Sequence, residues 1–159
     1  MQPVASEPRV RSAVILVASI LVCQLAGALG WIVTDPSIYR TLILPSWAPP
    51  GWLFGPVWLT LYTLMGIAAW LVWRTSGRRG ALAWFAIQLV LNAAWTPVFF
   101  GLRSTGGGLV VILLLDAAIA ATIIAFARRS LLAAMLLVPY AVWTSFATVL
   151  NAVIWSANR

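Results

Sequence analysis

Long apolar runs, broken only by short polar turns, set the character of this chain. From about 12 to 33 the residues are apolar almost without interruption, with Gln24 the one strongly polar side chain. Similar runs follow over about 51–73, 81–100, 108–126 and 131–155. None alternates in the strict two-residue period of a half-buried strand, and each is too long for a membrane-barrel strand. An α-helix of about 20 residues crosses a hydrocarbon core of about 30 Å, so each run is long enough to span. The pattern predicts an all-α integral membrane protein, a five-transmembrane-helix bundle forming a single domain over 1–159. The first run follows "MQPVASEPRVR" and exceeds the apolar core of a signal peptide, so it is read as a retained helix.

The breaks differ in kind. "RTSGRRG", "GLRSTGGG" and "ARRS" are short, charged and mostly glycine-bearing, as bundle turns are. The first loop, over about 34–50, is long and ends in "PSWAPPGW", which places Pro45, Pro49 and Pro50 beside Trp47 and Trp52. Proline fixes φ and lowers the entropy lost on ordering, so this loop is expected to be rigid. Small residues recur every four positions at Ser19, Cys23 and Gly27, at Ala117, Ala121 and Ala125, and at Thr144, Thr148 and Ala152. Such seams predict close helix contact, within the monomer or between two copies.

Charge refines the picture. The ten basic residues are all arginine, against three acids, for a net charge of +7. No arginine run exceeds two and none forms a stripe, so the charge reads as topology-setting loop charge rather than a nucleic-acid surface. Arg9, Arg11, Arg74, Arg78, Arg79, Arg128 and Arg129 fall on one side, and Arg40, Arg103 and Arg159 on the other. That bias predicts a cytoplasmic N-terminus, with the first loop and the C-terminus outside. With no histidine and one cysteine, the chain has no ligand set for zinc or an iron–sulfur cluster and no imidazole for haem, and no metal or cofactor is expected.

Polar residues at membrane depth are the places to look for function. Gln88, Asn92, Trp95 and Thr96, spaced by four, three and one, share a helix face. They read either as interhelical hydrogen-bond glue or as the polar wall of a ligand cavity, and Pro97 breaks the helix ladder beside them. Asp116 stands alone; it is expected to be protonated, bonded to Trp, Thr or backbone groups, or close to a wet helix end. Ten tryptophans are too many for the interface alone. Trp31, Trp73 and Trp155 sit where a membrane belt would be, whereas Trp58, Trp95 and Trp143 fall inside their runs. There they serve either ordinary aromatic packing or the stacking of a flat, apolar, polycyclic ligand.

Four stretches resemble one known family, TspO/MBR, which comprises the bacterial tryptophan-rich sensory proteins and the mitochondrial translocator proteins, or peripheral benzodiazepine receptors. They are "PSWAPPGWLFGPVWLTLYTLMG" (45–66), "QLVLNAAWTPVFFG" (88–101), Asp116, and "VPYAVWTSFATVLN" (138–151), in the family's order and spacing. The resemblance implies a five-helix membrane bundle, commonly a homodimer in lipid, whose first loop covers an interior pocket for porphyrins or similar hydrophobic molecules. Carried over by motif, the pocket residues are Tyr39, Trp47, Trp58, Asn92, Trp95, Trp143, Phe146 and Ala147. Some bacterial relatives are described as degrading porphyrin in light and oxygen, which would make Trp58 and Trp143 catalytic. The mitochondrial relatives' cholesterol motif is interrupted here, since Ala152 stands where its tyrosine would be.

Three functions follow as alternatives: a receptor or sensor that binds tetrapyrroles, an enzyme-like photo-oxidative degradation of them, and transport of a porphyrin or lipid. One intramembrane carboxylate without histidine cannot form an acid–base pair, which leaves only ligand- or Trp-centred chemistry for the second. The runs show no inverted repeat of the kind alternating-access transporters use, which weakens the third. The expected location is a bacterial cell membrane.

Overall fold

Where water is absent each backbone polar group must bond within the chain, and the apolar runs meet this demand as helices. A computed structural model describes residues 7–32 and 37–159; the start of the first loop and the side chain of Trp31, expected at the interface, fall outside the described residues. In chain order the helices are α1 (Glu7–Ile32), α2 (Ile38–Thr41), α3 (Phe54–Trp73), α4 (Arg79–Thr96), α5 (Thr105–Ala127), α6 (Leu131–Leu136) and α7 (Val138–Ala157). Five segments are long and apolar enough to span: Arg9–Gly30, Gly51–Trp73, Arg79–Gly101, Thr105–Ala127 and Leu131–Ala157. The expected bundle is present, with the last three spans each two to four residues longer than expected because helical geometry continues into their flanks.

Two prolines shape the spans. After α4, Pro97 has no N–H to give, and the chain continues as a π turn, Pro97–Gly101, closed by the Leu102 N–H on the Pro97 carbonyl (2.8 Å). The turn leads to Arg103, whose φ of 50° lies in the left-handed region, and then to Ser104, whose Oγ caps α5 by accepting from Gly107 N–H (3.1 Å). The last run was expected to be one helix over about 131–155. It divides instead at Leu137, because Pro139 sits in the first turn of α7 and denies that helix an upstream partner.

α1 packs on α3 and α4, α4 on α5, α5 on α7, and short α6 against α3 and α5. Met65, Ala68, Val72, Phe126 and Ala133 are wholly buried at the centre. α1 lies close to α3 where Gly66 has no side chain: a Cβ there would be 2.5 Å from Ile20 Cα and 2.7 Å from its nitrogen. The expected Ser19–Cys23–Gly27 seam faces this contact, with Cys23 buried and the Tyr62 ring directly against Gly27. On α5 the inward residues are Leu115, Ala118, Ile119 and Thr122, and Ala117 of the expected seam faces outward. Outward on α1 stand Val14, Val17, Leu21, Leu25 and Leu29, each more than half exposed, which suits contact with acyl chains.

Candidate functional site

The third span supplies the polar centre. Gln88 and Asn92 are buried one turn apart on α4 and face α3 and α7. The Tyr62 hydroxyl donates to Asn92 Oδ1 (2.6 Å), Asn92 Nδ2 donates to the Tyr140 hydroxyl (3.0 Å), and that hydroxyl donates to Gln88 Oε1 (2.9 Å). One turn further, the Trp95 indole N–H donates to Asn151 Oδ1 (3.1 Å), whose Nδ2 donates to the Thr105 carbonyl (2.8 Å). The amides tie three helices together, and Asn92 and Trp95 also border a cavity. Asp116 is held by the Thr148 hydroxyl (2.7 Å), while its Oδ1 is buried with no partner among the described residues.

Aromatic rings build outward from this network. Trp58 stacks on Tyr62 with centroids 5.1 Å apart, and Trp95 stacks on Phe99 at 5.0 Å. Phe54 meets Trp143 edge-on at 5.9 Å and Tyr39 at 5.8 Å, so a ring of the first loop joins the series. Two cavities lie between them. The smaller, about 60 Å³, is bounded by Gly27, Tyr62, Asn92, Trp143 and Thr144. The larger, about 310 Å³, opens toward the first loop and is bounded by Tyr39, Arg40, Phe99, Phe100, Leu150 and Ile154, with Asn151. Phe54, Trp58, Trp95, Thr96 and Ala147 line both. The larger volume stands at the low end of the range of about 300–1,000 Å³ typical of small-molecule sites.

The first loop closes over the larger cavity by a few fixed contacts. Ala48 N–H bonds to the Pro45 carbonyl and Leu53 N–H to the Pro50 carbonyl, each at 3.0 Å, so the proline corner folds into two tight turns that lead into α3. The Tyr39 hydroxyl donates to the Pro49 carbonyl (3.2 Å), and burial pushes this phenol above its ordinary value of 10.0. Leu42, Leu44 and Ala48 pack on Phe99, Leu150 and Ile154. Asn158, just past α7, clasps the loop from the side: its Oδ1 accepts from Ile43 N–H (3.0 Å) and its Nδ2 donates to Ile43 O (3.1 Å) and Ile154 O (2.8 Å).

Of the residues carried over by resemblance, Tyr39, Trp58, Asn92, Trp95, Trp143 and Ala147 reach a cavity wall. Trp47, which the sequence suspends over the pocket, instead lies edge-on to Phe146 at 5.8 Å and is 46% exposed. Those two rings stand beside the cavities rather than in their walls. Sequence reasoning missed Arg40, Phe54, Phe99, Phe100, Leu150 and Ile154. For Leu150 and Ile154 a signal existed, since with Trp143 and Ala147 they recur at four, three and four on one face of α7. Phe99 and Phe100 gave none, because their direction follows from the π turn.

The arginines gather with tryptophans at the two ends. Arg11 and Arg78 lie over Trp73 (5.9 and 5.4 Å), Arg74 over Trp70 (4.8 Å), and Arg129 donates to the Ser76 carbonyl (3.2 Å). At the other end Arg159 lies over Trp155 at 3.9 Å, and Trp52 is 72% exposed. Among the described residues, no three His, Cys, Asp or Glu side chains come close enough to hold a metal ion.

Comparison with known proteins adds an independent line. The profile of the TspO/MBR family matches residues 19–156. A tryptophan-rich protein TspO of Chlorobaculum tepidum is 44% identical over 124 residues, covering 76% of this chain and 78% of the other. The human translocator protein is 46% identical over 126 residues, covering 76% and 75%. A tryptophan-rich sensory protein of Cereibacter sphaeroides is 36% identical over 129 residues, covering 81% and 82%.

Proposed function

Because this chain belongs to the TspO/MBR family of membrane proteins, we propose that it is a receptor that takes a porphyrin-like tetrapyrrole into the cavity beneath its first loop, for sensing or sequestration. The observation that carries the reading is the pair of adjacent cavities that share indole walls, Trp58 and Trp95, beneath a loop clasped by Asn158 just past α7. Indole faces favour flat conjugated ligands, and few polar groups are left over to demand a polar one. The names of two relatives, sensory protein and translocator protein, agree with a ligand-handling role. The reading extends to a homodimer in a bacterial cell membrane with its N-terminus cytoplasmic; the gathering of Arg11, Arg74, Arg78 and Arg129 at one end supports that orientation.

Quenching of tryptophan fluorescence on titration with protoporphyrin tests the site. Binding in the submicromolar range is expected, and it should weaken when Trp58→Phe and Trp143→Phe are combined. Unchanged binding in that double variant would remove the site from consideration.

One observation favours a photo-oxidative activity as a second reading. Trp58 and Trp143 line the same small cavity, and the Trp143 indole N–H is buried with no partner among the described residues. A porphyrin held in the larger cavity would touch Trp58, which lines both cavities, and light-driven electron or oxygen chemistry would begin at that indole, with Trp143 across the smaller one. Illumination of the protein with protoporphyrin in air, yielding no product beyond the protein-free control, would exclude it.

A further inference from the structure

Among the described residues the larger cavity has one charged lining residue, and that charge has no partner there. Its walls are chiefly aromatic and aliphatic, and their polar groups are mostly committed. The Tyr39 hydroxyl donates to Pro49, and Asn151 is occupied on one side by Trp95 and on the other by the Thr105 carbonyl. Arg40 is different. It follows Tyr39 on α2, lines the cavity from the loop side, and its guanidinium makes no hydrogen bond or ion pair with any described residue. No carboxylate lines the cavity, and Asp116 is engaged by Thr148 between α5 and α7. The other two arginines of that end are absent from the cavity wall, Arg159 being laid over Trp155.

To a neutral molecule a guanidinium at the rim of an apolar cavity gives at most a cation–π contact or a hydrogen bond without charge on the acceptor. For a flat apolar ligand with an acidic arm it offers a fork of donors that fits a carboxylate on two oxygens. We infer that Arg40 is a specificity-determining residue that pairs with a carboxylate at the edge of the ligand, so that the cavity selects amphiphilic anions over neutral compounds of the same shape. This rests on the porphyrin reading above and names the ligand's charge. The ring system lies against Trp95 and Trp58, and the acid arm emerges under α2, where water still reaches it.

The test compares protoporphyrin, a dicarboxylic acid, with its dimethyl ester, which keeps the ring and loses the charge. Titrations in non-ionic detergent leave no lipid phosphate to compete for the guanidinium. The wild-type chain should bind the acid roughly tenfold more tightly than the ester, about the worth of one charge-assisted hydrogen bond at a partly wet site. The preference should shrink as salt rises from about 0.1 M to about 1 M, where screening shortens from about 10 Å to about 3 Å. Arg40→Gln should abolish the preference by weakening the acid more than the ester, and Arg40→Glu should reverse it. Equal binding of acid and ester by the wild-type chain, or a preference that survives Arg40→Gln, overturns the role of Arg40 and leaves the porphyrin site standing. Failure of both probes to bind overturns the porphyrin reading and the inference with it.

Discussion

Asn158→Ala should loosen the first loop without unfolding the bundle. The amide makes two bonds to the main chain of Ile43 and one to the Ile154 carbonyl, and only the first two cross from α7 to the loop. A hydrogen bond contributes about 0.5–1.5 kcal/mol net, and these are partly solvated, so the lower half of that range applies to each. Losing both should lower the free energy of loop opening by about 1–2 kcal/mol, a factor of roughly 5–30 in the open population. Leu42 and Leu44 still pack on Phe99, Leu150 and Ile154, so the loop keeps its apolar anchor and the closed form remains the major one. Hydrogen exchange reads this directly: the Ile43 amide should lose protection by that factor while core amides such as those of Met65 and Phe126 keep theirs. Asn158→Asp retains the acceptor for the Ile43 N–H and loses the donor, so it should fall between. A protection factor at Ile43 within twofold of the parent would refute the clasp and leave the leucines as the whole attachment.

Two further outcomes concern the bundle. Tyr140→Phe strands Gln88 Oε1 and Asn92 Nδ2 in a buried site. Interhelical bonds in membranes average about 0.6 kcal/mol with a maximum of about 1.7, so a loss of roughly 1–3 kcal/mol is expected in detergent unfolding, and an unchanged transition would count against the network. Gly66→Val drives a side chain into the Ile20 backbone, 2.5 Å from its Cα, and should cost about 1–3 kcal/mol as α1 is displaced; parental thermal stability would refute the close approach.

Spans were legible because a hydrocarbon solvent allows so few solutions: long apolar stretches must be helices, and the turns between them must be short and polar. The polar face of α4 was legible for a related reason, since Gln88, Asn92 and Trp95 at spacings of four and three can only point one way. Prolines were harder. Pro97 announced a broken ladder but not that the break would be a π turn that carries Phe99 and Phe100 to the cavity. Pro139 was overlooked because apolar residues run through it unbroken, and hydropathy does not register a missing N–H. Arg40 read as loop charge, and nothing in a linear count distinguishes a topology arginine from one bent over a cavity. Trp47 and Phe146 illustrate the opposite limit: a motif identifies residues that belong together, and these two do meet, yet against each other.

Trp95 meets an incoming ligand already fixed in place. Its ring is stacked on Phe99, edged by Phe100 at 5.9 Å, and held at its nitrogen by Asn151, itself tied to the start of α5. A side chain fixed in this way has already lost its rotational freedom on folding, so a guest does not lose that share again, roughly 0.5–1.5 kcal/mol per immobilised residue. The wall behaves as a mould rather than a glove. Guests that match its plane gain tight binding from modest contact, and guests that do not match cannot persuade it to move.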